Sequence, residues 1–151
     1  MDAAPKENKV SLVIRDSVER LRDGGMENVE DIPPGRFFKG AGAIRRQRFR
    51  LAPDFPLFEG HFPGNPILPA LGQIILARSC AEWVCGEAVT IMAIGQAKFL
   101  SPARPEDILD VLCARSRECE DVWLFQSTRL CGGETTEAAR IKMTLCRAAQ
   151  A

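Results

Sequence analysis

The chain has 151 residues, 46% apolar and 26% charged, enough to bury one sizeable core and too short for two ordinary domains. Twenty basic residues cancel twenty acidic ones, which argues against a broad phosphate-binding surface and so against nonspecific nucleic-acid binding. No apolar run nears the ~20 residues of a membrane span, and the six cysteines form no Cys-x-x-Cys pair beside a single histidine, so neither a membrane span nor a zinc site is expected.

The first residues, "MDAAPKENK", carry no basic-then-apolar signal pattern. A cytoplasmic protein with reduced thiols is expected, with residues 1–9 poorly ordered and 10–151 forming a single domain. Ser11 can cap a helix in which Val13, Ile14, Val18 and Leu21 recur at helical spacing, ended by Gly24 and Gly25 and packed on a sheet edge. After a turn at Pro33-Pro34-Gly35, residues 36–51 read as a long strand bent or bulged at Gly40 and Gly42.

Residues 70–84 are apolar almost all round, interrupted only by Gln73, Arg78, Ser79 and Glu82, which describes a helix buried on most sides. Pro69 suits its first turn because proline has no N–H to leave unpaired. Strand patterns follow at 88–100, 108–114 and 122–130. In the last strand Ile141, Met143 and Leu145 alternate with Arg140, Lys142 and Thr144. "CGGETTE", residues 131–137, reads as the connecting hairpin. Four strands after one buried helix predict an α+β fold in which an antiparallel sheet wraps around that helix.

The only histidine, His61, stands in "EGHFPGNPILPALGQII", where glycines and prolines restrict the backbone. Imidazole exchanges protons near neutral pH, and Phe62 with Ile67 and Leu68 is expected to exclude water and favour the neutral base. A hydrogen-bonded core histidine satisfies the same pattern. At the helix start the first N–H groups have no intrahelical acceptor, so the Ala70 amide is a candidate donor to an oxygen gaining negative charge.

"FEGHFPGNPILPALGQ" resembles the signature of the hot-dog-fold β-hydroxyacyl-thioester dehydratases, approximately G-H-F-P-x-x-P-[IVL]-x-P-G. "QAKFLSPARPEDIL" resembles that family's later K-x-x-x-P-x-x-P-G-D strand and turn. The resemblance covers residues 36–146 and implies a homodimer with active sites at the dimer interface. It implies a 3-hydroxyacyl thioester substrate, carried on acyl-carrier protein or coenzyme A, in fatty-acid or related acyl-chain metabolism. His61 would remove the proton α to the thioester and the Ala70 amide would bind the thioester oxygen. Phe62, Gly64, Gln73 and Ile75 are carried over as substrate-binding positions. No metal and no cofactor enters this reading.

Two positions depart from the family. Ala70 stands where glycine is usual, and Ile75 stands where the helix carries a carboxylate that helps the β-hydroxyl leave. Glu82 is on the same helical face as Ile75 but about 10 Å further along the axis. Gln73 lies about 200° around the helix from Ile75 and could bind a hydroxyl without accepting its proton. Glu59, two residues before His61, could share its side of an extended segment. A positioned acid or base is worth roughly 10²- to 10⁴-fold in rate, so a slow dehydratase or a non-catalytic thioester-binding or partner subunit is expected, with a thioester hydrolase as a third reading. Arg46, Arg48 and Arg50 share one side of a strand and could dock a carrier protein or coenzyme A phosphates, or serve as a solvated charged edge.

Overall fold

The computed structural model describes residues 9–147, which form α1 (Lys9–Leu21), β1 (Glu27–Val29), β2 (Ala41–Arg50), a 3-10 turn at Pro56–Phe58, α2 (Ala70–Cys85), β3 (Val89–Phe99), β4 (Ile108–Ser116), β5 (Val122–Cys131) and β6 (Glu134–Arg147). The six strands make one antiparallel sheet in the order β1-β2-β4-β5-β6-β3. The expected α+β hot-dog arrangement is present: α2 lies on the concave face with Leu76, Ala77, Cys80 and Ala81 buried against Val111, Phe125, Ile141 and Met143 of the sheet.

Local chemistry sets the ends of α2. Pro69 at φ −66 and ψ 162 is its N-cap, and Gly86 at φ 72 closes it by donating its amide to the Glu82 carbonyl at 2.8 Å. Gly72 lets the helix come close to the preceding segment, for a Cβ there would lie 2.5 Å from Cδ1 and 2.8 Å from Cγ of Leu68.

α1 starts at Lys9, so Ser11 lies inside it and is not its cap. Of the expected disordered segment, residues 1–8 fall outside those described. Val18 and Leu21 join the main core, and α1 is fastened at both neighbours. Arg15 pairs with Glu82 of α2 at 3.2 Å, while Arg22 lies 3.9 Å over the Trp83 ring and donates to the buried Gln47 of β2.

The long strand expected at 36–51 is shorter. Residues 36–40 turn and place Phe38 on the convex face with Ile44, Ala114 and Leu124, and β2 begins at Ala41 with its register shift beside Gly42. The β5–β6 hairpin is also tighter than expected. Cys131 pairs with Glu134, so only Gly132 and Gly133 turn, at φ 59 and 84, as a right-twisting two-residue loop requires.

Candidate active site at the start of the central helix

The backbone carrying His61 is a run of turns. Glu59 donates its amide to the Pro56 carbonyl at 3.1 Å, Gly60 follows at φ 77, and His61 donates its amide to the Phe58 carbonyl at 3.2 Å. Phe62 at φ 65 and Gly64 at φ 83 complete the next turn, in which the Asn65 amide reaches the Phe62 carbonyl at 2.9 Å. A side chain in the left-handed region costs about 1–2 kcal/mol, so Phe62 is held there by the turn around it.

This geometry corrects two expectations. Glu59 is a turn residue separated from His61 by the Gly60 reversal, not its neighbour on an extended strand. Phe62 does not shield the imidazole within one chain: the residue is 60% exposed, and His61 is exposed with no side-chain hydrogen-bond partner among the described residues.

The two sequence motifs meet in space. The Leu68 amide donates to the Ala103 carbonyl at 2.7 Å, and the Arg104 guanidinium donates to the Asn65 side-chain oxygen. Asp107, almost fully buried, locks the second motif by accepting from the Arg104 amide at 2.9 Å and from Arg129 Nε at 3.0 Å. Glu106 in that turn occupies φ 72, where the resembling pattern has glycine.

At the start of α2 the Gly72 and Gln73 amides both reach back to the Pro69 carbonyl, at 2.8 and 3.3 Å. The Ala70 and Leu71 amides have no acceptor among the described residues, which leaves the positive end of the helix open. Beside it is a cleft of about 330 Å³, lined by Ala70, Gln73, Phe99 and Leu100 among others. Ala70 and Gln73 are therefore brought together on one cleft, whereas His61, Phe62, Gly64 and Ile75 do not line it within a single chain.

Gln73 faces the sheet. It is 4% exposed, and its Oε1 accepts the Ser127 hydroxyl of β5 at 3.0 Å, leaving the amide hydrogens without a protein acceptor among the described residues. No sequence signal marks Ser127 as its partner, because the two are 54 positions apart and meet only through the β5 register. Ile75 is buried in the main core, an apolar side chain in apolar surroundings. Glu82 is occupied at the far end of the helix, accepting from the Val89 amide at 2.9 Å and from Arg15.

Arg46, Arg48 and Arg50 do not form a free basic stripe. Arg46 pairs with Glu27, Arg48 with Asp110 at 2.7 Å, and Arg50 lies 3.8 Å from Asp23. The Asp110 hydrogen bond holds the Arg48 guanidinium above its ordinary pKa. Among the described residues no cluster of three or more His, Cys, Asp and Glu side chains is placed to hold a metal ion, and no helix is long and apolar enough to cross a membrane.

Residues 43–138 match the model of the ApeI-like family, described as ApeI dehydratase. Among curated proteins, a 3-hydroxyacyl-[acyl-carrier-protein] dehydratase FabZ of Caulobacter sp. (strain K31) is 26% identical over 93 residues, 56% of this chain and 57% of the relative. The FabZ of Acidiphilium cryptum is 30% identical over 97 residues, 56% of this chain and 59% of the relative. The matched region thus spans a little over half the length of these relatives. Among solved structures, an uncharacterized protein from Erwinia carotovora superimposes with a TM-score of 0.66 at 21% identity, covering 84% of this chain and 95% of that one. The dehydratase heterocomplex ApeI:P from Xenorhabdus doucetiae gives 0.60 at 21% identity, with 82% and 100% covered. At these identities the structures show the shared fold.

Proposed function

The chain belongs to the ApeI-like dehydratase family, and from that membership and the open start of α2 we propose that it removes water from a 3-hydroxyacyl thioester, slowly, with His61 as the base. The observation that carries this reading is the cleft that Ala70, with its unpaired helix-start amide, shares with the apolar Phe99 and Leu100. A thioester oxygen on the Ala70 amide would gain a hydrogen bond that strengthens as enolate charge develops, while the acyl chain lies on the apolar wall. Glycine in place of Ala70 would allow a closer approach, but a methyl group at an exposed helix start does not cover the amide.

In the reaction the α C–H bond breaks, its proton goes to His61, and the electron pair forms the α–β double bond as the C–O bond to the β-hydroxyl breaks. The leaving oxygen needs a proton to depart as water. Ile75 supplies none, so the imidazolium formed at His61 is the donor, and the free Gln73 amide hydrogens can orient the hydroxyl without giving a proton. One group doing the work of two is the reason for a slow reaction: the missing acid is worth about 10²- to 10⁴-fold.

Both the exposure of His61 and the sheet edge favour a dimer. β3 ends the sheet over 11 residues with Met92, Ile94 and Phe99 exposed, a free hydrogen-bonding edge that another chain can extend. A second copy pairing there would make a homodimer with the His61 loops near the interface. The substrate carrier is acyl-carrier protein or coenzyme A.

A second reading is favoured by one observation. With Ile75 packed in the core, the chain fits a thioester-binding subunit that works with a different hot-dog chain, and one structural neighbour is itself a dehydratase heterocomplex. The test is interconversion of 3-hydroxyacyl and 2-enoyl thioesters by the purified protein. Wild-type turnover that vanishes in His61→Ala supports the first reading, and turnover unchanged in that variant overturns it. Binding of acyl thioesters without turnover by wild type selects the second.

A further inference from the structure

The opposite end of α2 holds a set of residues that the chemistry at the helix start does not use. Arg45 on β2, Arg115 on β4 and Arg147 on β6 line a cleft of about 210 Å³ beside Val84 and Cys85 in the last turn of α2. They share the concave face: Arg45 is opposite Cys113 and Arg115 opposite Trp123, and both of those partners are buried against α2. Among the described residues no carboxylate lines this cleft.

Only Arg147 of the three has an ion pair among the described residues. Arg45 has no ion pair or hydrogen bond among the described residues. Arg115 lies 4.8 Å over the Trp123 ring and sends one amine to Cys85 Sγ at 3.5 Å, but its Nε is buried without a partner among the described residues. Among the described residues Arg147 pairs only with Glu87, at 3.5 Å, with both side chains more than a third exposed, so that pair is weak. Arg115 and Arg147 also line an adjoining cleft of about 140 Å³ with Glu120 and Asp121, and among the described residues those carboxylates form no ion pair with any of the three arginines.

Complementing the α2 dipole does not account for this. The C-terminal end of a helix presents about half a negative charge, and one arginine satisfies it. Three guanidinium groups exceed what the helix dipole and the weak Glu87 pair offset, and the unpaired Arg115 Nε is buried in this concave place, where such an N–H is costly. Guanidinium forks match the oxygens of a tetrahedral dianion, and Trp123 holds one fork in a fixed position.

We propose that Arg45, Arg115 and Arg147 form a binding site for a phosphate group, at the end of α2 remote from the thioester cleft. The helix spans 16 residues, which separates the two sites by about 24 Å along its axis. The phosphate is either free or the terminal group of a larger molecule such as coenzyme A. This assignment is independent of the dehydratase reading, and its test reads no catalysis.

The experiment is thermal unfolding and calorimetric titration of the full chain with inorganic phosphate, with ionic strength matched by chloride. A saturable rise in melting temperature specific to phosphate is expected. Binding should weaken about tenfold or more in Arg45→Gln, since each charge-assisted contact removed is worth at least a factor of that order. Arg115→Gln loses its packing on Trp123 and could fail to fold, so Arg147→Gln is the second variant and is expected to weaken binding as well. Coenzyme A against 3′-dephospho-coenzyme A identifies the source: stronger binding of the former places the terminal phosphate here, and equal binding leaves free phosphate as the ligand. Identical behaviour in phosphate and chloride, or unchanged phosphate affinity in both Arg45→Gln and Arg147→Gln, overturns the proposal.

Discussion

Replacing Ile75 with glutamate tests both the packing and the chemistry argued for α2. Ile75 is 9% exposed within the main core, so its removal forfeits about 1.5–3 kcal/mol of apolar burial, some of it retained by the methylenes of the new side chain. The carboxyl enters the same apolar surroundings, and burial there favours its neutral form. A rise of about three units above the unfolded value near 4.3 corresponds to about 4 kcal/mol, at 1.36 kcal/mol per unit. The sign follows from linkage: an acid whose folded pKa is raised loses stability as pH climbs through its unfolded value, and the loss levels off above the folded pKa. Ile75→Glu is therefore expected to cost about 2 kcal/mol at pH 4.5 and about 6 kcal/mol at pH 8, against a typical total of 5–15 kcal/mol. Ile75→Gln is expected to show no such slope. Urea unfolding of both variants and wild type between pH 4.5 and 8 measures the difference. Parallel pH profiles for Glu and Gln would refute the reasoning, since the carboxylate would then be solvated or paired and position 75 would not be dry. In the same preparation, hydration of 2-enoyl thioesters is expected to rise about 10²-fold or more over wild type if the missing acid alone limits the rate.

Other substitutions probe the loops that hold the site. Glu106→Gly should stabilise the protein by about 0.5 kcal/mol in urea unfolding, because relief of left-handed strain slightly exceeds the added freedom of the unfolded chain. Gly72→Ala should destabilise it by about 1–2 kcal/mol despite better helix propensity, since the methyl meets buried Leu68; Leu68→Ala in the same chain should recover part of the loss beyond additivity. Asp107→Asn should cost about 3 kcal/mol by leaving Arg129 partly buried without its charge partner, again measured by urea unfolding. Among the cysteines, burial pushes the Cys113 thiol up to about 12, and Cys80 is wholly buried. Native protein at pH 8 should therefore react with a thiol reagent at exposed Cys119 and Cys131, and at Cys80 and Cys113 only on unfolding, as peptide mapping would show.

Local signals in the chain determined much of the architecture. The all-round apolar pattern of residues 70–84 specified a buried helix, and alternation specified the strands, because both periodicities are properties of neighbouring side chains. The His61 loop was legible for the same reason: glycines and prolines restrict the backbone wherever the chain goes. Only the tertiary structure decided who meets whom. It attached Asn65 and Leu68 to the second motif, gave Gln73 its Ser127 partner, and neutralised Arg46, Arg48 and Arg50 with acids from other segments. It also gathered Arg45, Arg115 and Arg147 from three strands into one cleft, though nothing in their spacing relates them. Strand register sets such meetings, and register is fixed by packing of the whole sheet on α2, a nonlocal balance that no short stretch of sequence contains.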